Sequence, residues 1–209
     1  MFDNAGIFKV PIRLGDNRFV HEFIGQVSAT EDDDLTESGN VHSRDGGSLV
    51  AMDLSAEAHE RIYAAHGKAA SGYDGTAIPL AHKLFAVEQW VDGIKARVLE
   101  RSETQAKVEI AHLGQTAILT MRMPTAHEEM EMTRVLKTRH IHAGQTRLKG
   151  RGTAWGKMAR ACLLKAEGYT DSALDKIPHL HLKAAMLEAT RESLLGAGLE
   201  LDDEDAGKN

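Results

Sequence analysis

What this chain lacks narrows its class before any motif is read. A single cysteine in 209 residues, Cys162, excludes an internal disulfide and any Cys-rich zinc module, and it suits a reducing compartment. No run of about eighteen apolar residues occurs, so no membrane-spanning helix is expected. The opening MFDNAGIFKVPIRL has neither the basic flank nor the continuous apolar core of a secretory signal, and a soluble, cytoplasmic protein is the expectation. Aromatic residues are scarce at 5%, but 42% hydrophobic and 27% charged residues suffice for one substantial core. The most informative absence is local. Between Met132 and Ala166 there is no Asp or Glu, although the stretch holds nine Lys/Arg and two His.

That stretch carries +9 in a chain of net charge −6, so the remainder carries −15. Acid concentrates in Ala29–Asn40 and in Glu200–Asn209. Neither run shows apolar periodicity, so the expectation is one α+β domain over residues 1–199, with a solvated acidic loop at 30–40 and an acidic disordered tail at 200–209. An acidic tail can also compete with nucleic acid for a basic groove.

Read in order, IFKVPIRL and RFVHEFIGQVSA predict an N-terminal hairpin, and Pro11 places its first strand at a sheet edge. SLVAMDLS reads as a strand, with Ser55 capping a helix over AEAHERIYAAH, and GKAASGYDG reads as a hinge or exposed loop. LFAVEQWV and IKARVLER flank Asp92-Gly93, a dipeptide suited to a tight hairpin turn. QAKVEIAHL and TAILTMRM repeat the arrangement across Gly114-Gln115, with Val108, Ile110, Ala117, Leu119 and Met121 on one face. Together these predict an antiparallel β-meander over about residues 84–123. A helical C-terminal part follows. Thr125-Ala-His-Glu128 is a capping box, Thr153 a candidate cap for a second helix, and Pro178 a stop for a short helix over TDSALDKI. A last apolar helix carries Leu180, Ala184, Leu187 and Leu194 and ends at Gly196.

Motifs that carry chemistry fail on their spacing. In GRGTAWGKM, Gly150 lies one residue too far from Gly156-Lys157 for a P-loop, Met158 lacks the hydroxyl that would hold magnesium, and Trp155 stands where a dinucleotide fold needs glycine. No Gly-x-Ser-x-Gly elbow exists, and Cys162 falls on the apolar face of its helix. Paired acids such as Asp53/Glu57 read as helix caps and first-turn charges. Neither a catalytic residue nor a cofactor is assigned. For metal, the pairs His140/His142 and His179/His181 have the spacing that puts two imidazoles on one face of a strand. Both lack a third ligand in sequence, and His179/His181 would diverge at a helix start, so no metal site is assigned and His140 and His142 stay weak candidates.

The basic stretch is therefore the candidate site. Clustered cations gain affinity beside a polyanionic backbone by displacing condensed counterions. The expected nucleic-acid ligands are Arg134, Lys137, Arg139, Arg147, Lys149, Arg151, Lys157, Arg160 and Lys165, on an exposed loop at 139–153 that runs into a helix N-terminus, itself a favourable phosphate position. Trp155 offers a stacking surface for an unpaired base, against the plainer alternative that it anchors the core.

The order TAILTMRM, EEMEMTRVLKT, RHIHAGQTRLKGRGTAW, GKMARACLLKA resembles the distal half of RecT-type phage single-strand DNA annealing proteins. GYDGTAIPLAHKLFAVEQWVDGIKARVLER extends the resemblance over residues 73–168; Ala154 stands where that family commonly has proline, and the first seventy residues do not match. The resemblance implies an ATP-independent protein that coats single-stranded DNA as a homo-oligomer and pairs it with a complement in phage or plasmid recombination. Three other readings stay open: an RNA-binding subunit of a ribonucleoprotein of the CRISPR kind, a virion or assembly protein whose basic arm grips a neighbour's acidic loop, and a metal-dependent hydrolase that would lose its metal in His140→Ala and His142→Ala.

Overall fold

The computed structural model describes residues 1–3, 6–14, 16–39, 48–73, 77–136, 139–142, 145–148 and 150–196. It is an α+β protein. Strands β1 (Ile7–Leu14) and β2 (Asn17–Ile24) form the expected hairpin, and β3 (Gly67–Ser71) adds to β2, leaving Pro11 on the edge strand where its missing amide costs no ladder bond. Gly67–Ser71 is thus a strand where a hinge was expected.

Helices α1 (Ala29–Gly39), α2 (Ser48–His66) and α3 (Leu80–Asp92) overturn three expectations. The acidic segment is helical rather than a loop. Ser28 and Glu31 form a capping box, in which the Ser28 amide donates to Glu31 Oε2 at 2.8 Å and the Glu31 amide to Ser28 Oγ at 3.2 Å. SLVAMDLS is the first half of α2, not a strand, and Ser55 lies inside that helix. LFAVEQWV belongs to α3, whose buried Ala86, Val87 and Trp90 follow helical rather than alternating spacing. Gly93 accordingly ends a helix at φ −67°, and Asp92-Gly93 makes no hairpin turn.

The meander is β4 (Lys95–Arg101), β5 (Gln105–His112) and β6 (Gln115–Arg122), and its fourth strand is β9 (Leu163–Glu167) from far along the chain, in the order β4-β5-β6-β9. Leu113 and Gly114, both at positive φ, make the two-residue turn between β5 and β6. Helix α4 (Ala126–Leu136) begins at the expected box, with the Thr125 amide donating to Glu128 Oε2 at 2.8 Å. The 139–153 segment is no simple loop. It forms a two-stranded ribbon, β7 (Arg139–His142) with β8 (Gln145–Leu148), before α5 (Arg151–Cys162). Gly150, left-handed at φ 72°, rather than Thr153 sits at the N-cap of α5. A 3-10 turn at Leu174–Lys176 and α6 (His179–Gly196) complete the order.

Two apolar clusters result. The larger packs α5 and α6 on the inner face of β5 and β6, with Val108, Ile110, Leu119 and Met121 meeting Trp155, Cys162, Leu182 and Met186. The smaller joins the β1–β2–β3 sheet to α2 and α3, where Phe23 stacks on Trp90 with ring centroids 4.4 Å apart. Such a pair adds about 1 kcal/mol beyond its buried area. The clusters meet at a buried polar chain whose donors can be assigned from its end. His112 Nε2–H donates to the Trp90 carbonyl at 2.7 Å, so His112 Nδ1 accepts from His181 Nε2–H at 3.1 Å, and His181 Nδ1 accepts from the Tyr169 hydroxyl at 3.1 Å. Burial, with His112 adding to it, pulls His181 down to about 3, the neutral form this chain needs. Among the described residues no helix is long and apolar enough to cross a membrane.

Candidate functional site

The basic stretch divides into side chains tied within the protein and a ribbon that pairs with itself. Arg134 lies in the last turn of α4, where a cation complements the helix dipole, 3.7 Å from Glu131. Arg160 donates to the carbonyls of Leu174 at 2.8 Å and Ile177 at 3.1 Å, clamping the segment before α6. Lys165 on β9 pairs with Glu167 at 2.9 Å, and Lys157 is exposed on α5. Trp155 is 3% exposed inside the larger cluster, so the plainer alternative holds and no base can stack on it.

The other cations belong to the ribbon and its flanks. Arg139 and His140 lie in β7, Arg147 in β8, and Arg151 opens α5; Lys137 and Lys149 fall outside the described residues, as does the tail at 200–209. The register sets Arg139 across from Leu148, His140 across from Arg147 and His142 across from Gln145. For Arg139, His140, His142, Arg147 and Arg151 the backbone position is described and the side chain is not.

The N-terminus of α5, expected to receive a phosphate, already holds the protein's own acid. Asp33 accepts from the Thr153 amide at 3.1 Å and, in a very short bond, from the Thr153 hydroxyl. Asp32 presses on the same turn, since a Cβ on Gly152 would collide with its carboxylate. These carboxylates cap in trans what a side chain at Gly150 does not.

Asp32 is the centre of this arrangement and has no counterpart in the sequence expectations. It is 2% exposed, accepts from Lys183 Nζ at 2.6 and 2.8 Å, and takes His179 Nε2–H at 3.0 Å. Burial pushes its carboxyl up, but the bonds from His179 and Lys183 and their charges outweigh that and hold it below the usual range. His179 and His181 do diverge at the start of α6, one to Asp32 and the other to His112.

No family model, curated protein or solved structure matches the chain. The site therefore rests on its own geometry. Beside the Asp32–Lys183 pair opens a cleft of about 660 Å³ between α1, α2, α3 and α6, with apolar walls that include Leu35, Val91 and Leu187. Glu88 and Asp92 stand one helical turn apart on its α3 wall, facing His59. Burial, then Glu88, raises Asp92, while His59 and Lys183 oppose the rise. Among the described residues no three His, Cys, Asp or Glu side chains converge as metal ligands. The arrangement can hold charge beside an apolar wall; a nucleophile aligned with a base is not among its described parts.

Proposed function

We propose that the protein binds nucleic acid, single strands in preference, through the β7–β8 ribbon and the residues that flank it. The observation that carries this reading is a separation of charge. Lys137 to Arg151 places five Lys/Arg and two His along the β7–β8 ribbon and its flanks with no acid in that sequence, while the acid of the chain concentrates elsewhere, in Ala29–Asn40 and Glu200–Asn209. Basic side chains held on a two-stranded ribbon suit a phosphate backbone, because each neutralised phosphate releases counterions. The resemblance to RecT-type annealing proteins supports the same partner and makes strand annealing by a homo-oligomer the specific form of the proposal. The subunit-gripping alternative is disfavoured, since Asp32 and Asp33 are engaged by α5 and α6 of their own chain.

Fluorescence anisotropy of labelled single-stranded DNA, duplex DNA and single-stranded RNA over a salt series tests it. The expected result is preference for single-stranded DNA and a steep salt dependence. In an Arg147→Ala/Arg151→Ala variant the slope shallows by roughly 0.7 for each phosphate that is no longer neutralised. Preference for RNA would favour the ribonucleoprotein reading, and no binding at low salt would exclude nucleic acid as the partner.

A further inference from the structure

A second histidine–tyrosine cluster lies apart from the ribbon and is open to solvent at one end. Tyr73 follows β3, delivered there by Gly72, whose backbone at φ +92° runs so close to Arg18 and Phe19 that a Cβ would stand 2.8 Å from the Arg18 carbonyl. The Tyr73 hydroxyl is 2.8 Å from His21 Nε2 on β2 and 2.8 Å from His82 Nδ1 on α3. Two imidazole nitrogens thus meet one phenol oxygen, drawn from three separate elements. His21 Nδ1 lies 2.8 Å from the Tyr63 hydroxyl on α2, and the Phe19 ring packs on Tyr73 and His82 at 4.8 Å from each.

We propose that His21, Tyr73 and His82 form a three-ligand site for a divalent transition ion of the zinc and copper class. Ligands at about 2.0 to 2.1 Å from a tetrahedral ion stand roughly 3.3 to 3.4 Å from one another, so each of the present 2.8 Å spacings needs to open by about half an ångström. Two imidazoles suit zinc or copper rather than calcium or magnesium, and the phenol oxygen adds one harder donor. The surroundings match a metal site as well. A ligating histidine ordinarily engages its second nitrogen in a further hydrogen bond, and Tyr63 fills that place for His21. His21 is fully buried, which holds its ring in place. Binding of Tyr73 as phenolate releases one proton to solvent and tightens as pH rises. With a phenol oxygen as third donor, the group differs from sites built on His, Cys, Asp and Glu alone.

The test is titration of the purified full chain with Co²⁺, read by its visible absorption, followed by displacement with Zn²⁺. The expected result is one saturable Co²⁺ per chain, displaced by Zn²⁺. His82→Ala, at a half-buried position, abolishes it while circular dichroism stays that of the parent. Tyr73→Phe weakens it by about tenfold or more, and Tyr63→Phe by about 10- to 100-fold, the range for loss of an outer-shell partner. His140→Ala/His142→Ala leaves it unchanged. The proposal is overturned if no saturable Co²⁺ binds, if His82→Ala and Tyr73→Phe bind as the parent does, or if the His140/His142 variant is the one that loses the ion.

Discussion

The acidic helix α1 and the basic ribbon are both runs of like charge, and sequence treats them alike as solvated surface. They end in opposite situations. Asp32 is 2% exposed and hydrogen-bonded to two side chains about 150 residues away, His179 and Lys183. Asp33 caps α5, whereas among the described residues the ribbon's only ladder partner is itself. Membership in a dense run of like charge therefore does not keep a carboxylate in water. What decides it is whether the fold brings fixed donors to the carboxylates, because a charge leaves water at tolerable cost only when paired and hydrogen-bonded.

The largest effect should come from removing the centre of that pairing. Asp32→Ala leaves Lys183 and His179 facing an apolar side chain in a mostly buried site, and breaking such a pair costs about 3 to 5 kcal/mol. Urea denaturation measures it. Adding Lys183→Met should recover part of the loss, and a double variant no more stable than Asp32→Ala would show that the pair is not the source. Alanine substitutions in the ribbon should stay within about 0.5 kcal/mol, which is the contrast in its plainest form.

Proton titration separates the two regions next. His181, pulled down to about 3, and His21, pulled down to about 4, are neutral when folded and bind protons more readily when unfolded. Their contribution is complete above about 6.5 and is lost as pH falls toward the folded values, at about 1.4 kcal/mol per pH unit for each, or about 2 kcal/mol each by pH 5. Asp32 and Glu128, the latter held at about 2 by Arg122 and the Thr125 amide, have depressed carboxyls; their contribution is present at neutral pH and is lost in a second phase below about pH 4. Urea midpoints between pH 7 and 3 should show both phases. Asp32→Ala should diminish the second, and Arg147→Ala/Arg151→Ala should leave both unchanged.

How much of this is legible in sequence depends on the range of the forces. The β1–β2 and β5–β6 hairpins and the α4 cap are encoded within a few residues and read correctly. The box at Ser28–Glu31 is as explicit as that at Thr125–Glu128, but the acid that follows it suggests a loop. In LFAVEQWV the β-prone composition hides a spacing of Ala86, Val87 and Trp90 that fits a helix. Three features have no local signal: β9 closing the sheet edge beside β6, the bonds from Lys183 and His179 to Asp32, and the meeting of His21, Tyr73 and His82. Each joins residues distant along the chain. The burial of Trp155 is an intermediate case, since its spacing with Met158 and Cys162 marks an apolar face while the surrounding charge suggests a surface.

A smaller effect within the acidic helix is the most discriminating. Asp33→Ala removes one capping acceptor from α5 and should cost about 1 kcal/mol, the usual range for a lost cap. Its consequence reaches further than its size. With Asp33 gone, the Thr153 amide and hydroxyl lose their acceptor at a helix N-terminus, where an anion is favoured by the dipole. Lys183 and His179 still hydrogen-bond Asp32 nearby. Sulfate should then raise the Tm of Asp33→Ala more than that of the parent, because only the variant has an acceptor position left to fill. Equal shifts would mean that Asp33 does not occupy an anion position, and that the acidic helix is held against α5 by Asp32 alone.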